Sequence, residues 1–213
     1  TEGRGLFLPP GLIRQLELAC GRRDAQFVIG EASDAAMTSQ SELPRVFREL
    51  TTDGLLVNYC GSVPPVMGHM LEEFQIPTVW INQKRTYDAV YPDDLAGART
   101  ATEALLELGH KRIVWVDMDR FAHYSCEDRP AGYAAAMKAA GLTPRSVTLN
   151  MADPADQMRV VDAMLAEVPR PTAFVCYSDT CLHAIGGTAA RHGLAIPRDL
   201  SIISFANTMA ILM

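Results

Sequence analysis

The 213-residue chain lacks any apolar run long enough to cross a bilayer. A spanning helix needs roughly 18 to 20 such residues, and every hydrophobic stretch here is broken well short of that by a charge, Gly or Pro. A Lys/Arg cluster able to neutralise a run of phosphates is also missing. The 19 Lys+Arg against 25 Asp+Glu leave a net charge of -6, which argues against this chain alone gripping nucleic acid. Its five cysteines, Cys20, Cys60, Cys126, Cys176 and Cys181, are odd in number and contain no CxxC pair. Neither a disulfide framework nor a thiolate zinc site is suggested, and the reading is reduced, mostly buried thiols.

Chemical motifs are equally scarce. No GxGxxG follows a strand-like run and no GxxxxGK[ST] occurs, so dinucleotide and phosphate cradles are not expected, and Gly186-Gly187 falls inside a helical pattern. His69, His110, His123, His183 and His192 are scattered without HExxH spacing, so no metal and no cofactor is expected. Ser178 follows a strand-like run but has Tyr177 and Asp179 beside it instead of the glycines of a nucleophile elbow; Asp179 reads as the cap of the next helix. The expectation is therefore a protein that is not an enzyme. The chain opens Thr-Glu-Gly-Arg, without an initiator Met or a charged-then-apolar leader, so it is expected to be a fragment, and a cytoplasmic location is the default.

What is present is a globular composition, 48% hydrophobic and 21% charged, with material for one large core or two small ones. Apolar β-branched runs at 26–29, 54–57, 78–81, 112–116, 173–177 and 201–205 read as strands. Leu55-Leu56-Val57, Val79-Trp80-Ile81 and Ile113-Val114-Trp115-Val116 are apolar on successive residues, so both faces of each strand should be covered. That is the pattern of a parallel sheet sandwiched by helices. Helices are expected over 12–22, 39–49, 65–73, 95–108, a segment opened by Pro130 at a first-turn position and closed before Gly141, 154–167, and a segment after Asp179 that ends before Gly193. In the 95–108 helix, Ala98, Ala101, Leu105 and Leu108 form one stripe, Asp93 or Asp94 caps the start, and Gly109 takes the left-handed position at the end.

Open parallel sheets bind ligands at the carboxyl ends of their strands. The residues there are polar or aromatic: Asn58-Tyr59, Asn82-Gln83, Asp93, Asp117, Tyr177-Ser178-Asp179 and Ala206-Asn207. Asn and Asp at such places serve equally well in turns and caps.

Three stretches in register carry a resemblance. Asp93-Asp94-Leu95-Ala96-Gly97 running to Leu108-Gly109-His110-Lys111-Arg112-Ile113 looks like "D-N-x-x-G … L-x-x-x-G-H-K/R-x-I", with Asp94 in place of Asn. Arg129-Pro130-Ala131-Gly132-Tyr133-Ala134-Ala135-Ala136-Met137, ending at Gly141-Leu142, is similar to "R-x-x-G-Y/F-x-x-A-L/M … G-L". Pro171-Thr172-Ala173-Phe174, then Ser178-Asp179, then Ile196-Pro197-Arg198-Asp199-Leu200-Ser201-Ile202-Ile203-Ser204-Phe205 matches "P-T-A-x-x-x-x-N-D … I-P-x-D-L-S-V-x-G-F/Y-D". Together they resemble the effector-binding region of the LacI/GalR family of bacterial transcriptional regulators, which shares the type I periplasmic-binding-protein fold.

The resemblance implies an α/β protein of two Rossmann-like lobes with parallel sheets flanked by helices. The lobes are expected over 1–110 and 111–213, dividing near Gly109-His110, with a first strand missing, the second lobe cut before its returning segment, and a helix-turn-helix outside the chain. A small-molecule effector is expected in the cleft, sugar-like or another small metabolite, with a homodimer as the assembly and operator DNA met only through the missing domain. Arg129 matches the effector-binding arginine, Asp93 lines the cleft, and Ser178-Asp179 takes the Asn-Asp place. A guanidinium on a loop at a helix start is also suited in its own right to clamping a carboxylate, phosphate or vicinal diol. The candidate ligand set is Arg129, Asp93, Tyr59, Asn82, Gln83, Ser125, Tyr177, Ser178 and Asn207. Ala206 stands where sugar- and nucleoside-responsive members carry an acid, so a charged acceptor for ligand hydroxyls is lost. The alternative function is an exported solute receptor of a transport system; the unpaired cysteines and the Gly109-His110-Lys111-Arg112-Ile113 turn argue against it.

Overall fold

The computed structural model describes residues 10–30, 52–59, 63–73, 75–118, 123–150 and 152–206. The helix expected over 39–49, Cys60 and the candidate Asn207 lie outside them. The chain forms two compact units, Thr1–Pro92 and Asp93–Met213. This boundary falls ahead of the Gly109-His110 turn where the motifs place it.

In the first unit α1 (Pro10–Gly21) precedes a three-stranded sheet of β1 (Leu55–Asn58), β2 (Thr78–Ile81) and β3 (Ala89–Val90), with α2 (Pro65–Glu73) between β1 and β2. Strands β1 and β2 pair in parallel from Leu55↔Thr78 to Asn58↔Ile81, and β3 adds to β2 through Trp80↔Ala89 and Ile81↔Val90. Met67, Met70 and Leu71 of α2 pack with Ile76 and Trp80, and with half-buried Leu55 and Val57, to make the core. Leu56 and Val79 point the other way and are exposed, so among the described residues one face of this sheet is covered and the other is not. The strand expected at 26–29 is also absent: these residues have no ladder partner, and Val28 is 74% exposed.

The second unit holds α3 (Asp94–Glu107), β4 (Ile113–Met118), α4 (Ser125–Ala139), β5 (Ser146–Leu149), α5 (Pro154–Leu165), β6 (Ala173–Cys176), α6 (Thr180–Arg191) and β7 (Ser201–Ser204). Its four strands are parallel in the order β5-β4-β6-β7. Here the successive apolar residues do serve two faces. Val114, Val116, Phe174 and Cys176 join Val161, Leu165, Leu182 and Ile185 from α5 and α6, while Ile113, Trp115, Ala173 and Val175 join Leu105, Tyr133 and Met137 from α3 and α4. Trp115, Tyr133 and Phe174 are fully buried. Burial pushes the Cys176 thiol well above its ordinary range, and none of Cys20, Cys126, Cys176 and Cys181 is in a disulfide.

Local chemistry explains most boundaries. The Asp93 carboxylate accepts the Ala96 amide at 2.9 Å and caps α3. Gly109 closes it with φ +88, a conformation that is costly for any residue with a Cβ. Leu108 belongs to that C-terminal cap and is 74% exposed, so it drops out of the expected stripe. Helix α4 starts at Ser125, so Pro130 sits past the first turn rather than in it. Asp179 stands at the N-cap position of α6, but its backbone is already helical and its side chain caps nothing. His110 holds the amino ends of β6 and β7 together, with Nδ1 2.9 Å from Thr172 Oγ1 and Nε2 2.9 Å from Ser201 Oγ. No helix of the described residues is long and apolar enough to cross a membrane, and among them no cluster of His, Cys, Asp or Glu is arranged to hold a metal.

One buried phenol joins three elements. The Tyr133 hydroxyl lies 2.9 Å from the Ile113 carbonyl and 3.0 Å from the Arg145 carbonyl, and it accepts the Arg145 amide at 2.9 Å. Burial holds its proton on above the ordinary phenol range. Tyr133→Phe leaves these backbone groups short of a partner and is expected to lose about 1–3 kcal/mol. Urea unfolding followed by circular dichroism checks this, and an unchanged midpoint would contradict it.

Candidate functional site

The carboxyl ends of β4, β6 and β7, with the starts of α3 and α4, bring five elements of the second unit around Arg129. Its Nε donates to Asp94 Oδ1 at 2.6 Å, and its Nη1 donates to the Tyr177 carbonyl at 2.8 Å. The guanidinium carbon lies 4.4 Å from the Tyr177 ring centroid and 4.2 Å from that of Phe205, so aromatic rings cover the cation. Trp115 braces both rings edge-on, at 6.5 Å from Tyr177 and 6.4 Å from Phe205. Gly97 of α3 faces this arrangement, where a Cβ would come into van der Waals contact with the Phe205 ring at 3.4 Å. The pair is deeply set, with side-chain exposures of 18% for Arg129 and 2% for Asp94.

A second string of polar groups adjoins it. Ser125 Oγ, buried at the start of α4, is 2.6 Å from the Tyr177 hydroxyl and 2.7 Å from His123 Nδ1. The Tyr124 phenol beside it interacts with the Asp94 carboxylate and is held well above its ordinary value, first by burial and then by that negative charge. Asp94 Oδ2 is buried without a hydrogen bond of normal geometry. Ser178 turns inward, its hydroxyl 3.5 Å from the Met118 sulfur.

Of the nine residues expected from the sequence, Arg129, Tyr177, Ser125 and Ser178 therefore gather in one place. Asp93 sits next to them but spends its carboxylate on the cap, and the buried acid is its neighbour Asp94. Phe205, Trp115 and His123 belong to the same constellation and were not singled out for it. Asp94 had a visible signal, the acid standing where the motif has Asn. Tyr59, Asn82 and Gln83 meet in the first unit, at the carboxyl ends of β1 and β2. There Gln83 Nε2 donates to the Tyr59 carbonyl, and Asn82 adopts a left-handed φ of +61 while its amide donates to the Val90 carbonyl at 2.8 Å. Asn is among the few residues that tolerate this region, which gives Asn82 a backbone reason to be there.

Comparison with known proteins agrees with this architecture. The profile of the periplasmic binding protein-like domain matches residues 102–212, half of the chain. Among curated relatives, the HTH-type transcriptional repressor PurR of Erwinia tasmaniensis is 28% identical over 203 residues, covering 92% of this chain and 59% of the relative. The PurR repressor of Vibrio campbellii is 28% identical over 213 residues, covering 97% of this chain and 63% of the relative. The chain thus spans about three fifths of the length of these relatives. A LacI family transcriptional regulator from Mycobacterium smegmatis superposes with a TM-score of 0.68 at 25% identity, covering 92% of this chain and 72% of that one. One from Bifidobacterium animalis has a TM-score of 0.73 at 24% identity, covering 91% and 72%. By the matched domain, the relatives and the three motifs together, the chain belongs to the periplasmic binding protein-like family and is an effector-binding region of the LacI/GalR type.

Proposed function

We propose that the chain is the ligand-sensing and dimerising module of a cytoplasmic LacI-type transcriptional regulator, without catalytic activity. A small-molecule effector contacts the Arg129 constellation, and its differential affinity for two arrangements of the protein changes operator binding by a helix-turn-helix domain outside this chain. The observation that supports this reading is the Arg129 group itself: a guanidinium fixed by Asp94 and the Tyr177 carbonyl, covered by Tyr177 and Phe205, at the strand ends where open parallel sheets take ligands. The guanidinium is held in place by the protein's own groups, which supports a preformed binding site.

A thermal-shift screen of small metabolites tests the proposal. An effector at 100 times its Kd should add about 2.7 kcal/mol, a readily visible rise in Tm. Arg129→Lys is the control, because it keeps a cation beside Asp94 but loses the planar fork and the ring stacking. The ligand-induced rise should shrink by more than half in this variant; an equal rise would remove Arg129 from the site.

A further inference from the structure

Resting on the ligand-site reading above, we infer that Asp94 makes this site select an uncharged ligand over an anion. A guanidinium at a helix start would by itself favour a carboxylate or phosphate. Here that role is taken by the protein's own carboxylate, 2.6 Å from Arg129 Nε and only 2% exposed. Nη1 is committed to the Tyr177 carbonyl, and the rings of Tyr177 and Phe205 lie against the cation. Among the described residues this leaves Nη2 as the arm without a hydrogen bond, on a cation whose charge is already balanced.

An anion reaching that arm approaches the buried Asp94 charge as well, in surroundings where aromatic rings and not water screen the two. A hydroxyl, carbonyl or amide oxygen meets no such opposition. The acid at position 94 is therefore the feature of this chain that sets the charge preference.

The test uses probes matched except for charge: a nucleoside and its 5′-phosphate, a pentose and its 5-phosphate, a hexose and its aldonic acid. Inorganic phosphate alone is added against sodium chloride at equal ionic strength. Tm and titration calorimetry are read on the wild-type chain, on Asp94→Asn, and on Asp94→Ser in case the first fails to fold. In the wild type, the uncharged member of any pair that binds should do so at least about tenfold more tightly, and inorganic phosphate should leave Tm unmoved. Removing the acid should collapse that ratio and give a phosphate-dependent rise in Tm. Equal or tighter wild-type binding of the anionic members overturns the inference, as does a phosphate response that is the same with and without Asp94. If no organic probe binds any form, the sensing reading fails on its own. The phosphate arm still decides the role of Asp94: a rise confined to the variants supports it, and no rise in any form refutes it.

Discussion

Gly132→Ala is expected to lower the Tm of the chain by about 6–12 °C. A Cβ at this position would stand 2.1 Å from the Leu95 carbonyl oxygen, 3.0 Å from the Arg99 amide nitrogen and 3.1 Å from Ala98 Cβ. The nearest obstacle is the backbone of α3, which no rotamer change can move aside, so the two helices must separate. Overpacking a core by one methyl typically costs about 1–3 kcal/mol, and a backbone clash this close belongs at or beyond the upper end. For a chain of this size about 3 kcal/mol corresponds to that fall in Tm. Gly186→Ala is the internal control. Its Cβ would meet nothing within 4 Å, so relief of backbone entropy in α6 should stabilise by about 0.5–1 kcal/mol. Calorimetric melts of both variants check the pair. A Gly132→Ala melt within 2 °C of the wild type would show that α3 and α4 are not pressed together at this residue.

The same contact explains where the sequence is legible and where it is not. The glycine of the Arg129-to-Met137 motif is visible as a motif element, but its reason, close approach to Leu95 and Ala98, depends on two helices far apart in the chain. That approach also assigns α3 to the second unit, although Gly109-His110 reads as the natural division. Strands β4 and β6 are readable because Ile113-Val114-Trp115-Val116 and Ala173-Phe174-Val175 must satisfy two apolar faces at once. Strand β5 is not, because Ser146 and Thr148 leave a short alternating edge strand little different from loop. Helix starts follow the same division. Asp93 caps as its place before the helix suggests, Asp153 caps α5 without having been singled out for it, and Asp179 has the right residue type in a helical backbone conformation and caps nothing. At the site, strand-end position and motif bring out Arg129 and Tyr177. The partner of a buried charge is a long-range property, and Asp94 lies 35 residues from Arg129 in the chain.

Truncating Arg129 to Ala is expected to cost about 3–5 kcal/mol of folding stability, independent of any ligand. The cost arises at Asp94. With 2% side-chain exposure it has no route to water, and removing the guanidinium leaves a charge in a region lined by Tyr177 and Phe205, with the Tyr177 carbonyl also deprived of its donor. The pair itself contributes much less than this figure, because forming it also required desolvating both ions. A double-mutant cycle separates the two quantities. Arg129→Ala with Asp94→Ala removes both charges and should be less destabilised than Arg129→Ala alone, an order that additive contacts cannot produce. Urea midpoints of the four proteins give the coupling directly. A single Arg129→Ala variant within about 1 kcal/mol of the wild type would mean that the two side chains behave as a solvated surface pair, and the charge argument for the site would lose its footing. If the larger cost is found, lost ligand response in Arg129→Ala reports on folding as much as on recognition. Arg129→Lys and Asp94→Asn, which keep either the cation or the hydrogen-bond acceptor in place, then become the informative probes of what the site binds.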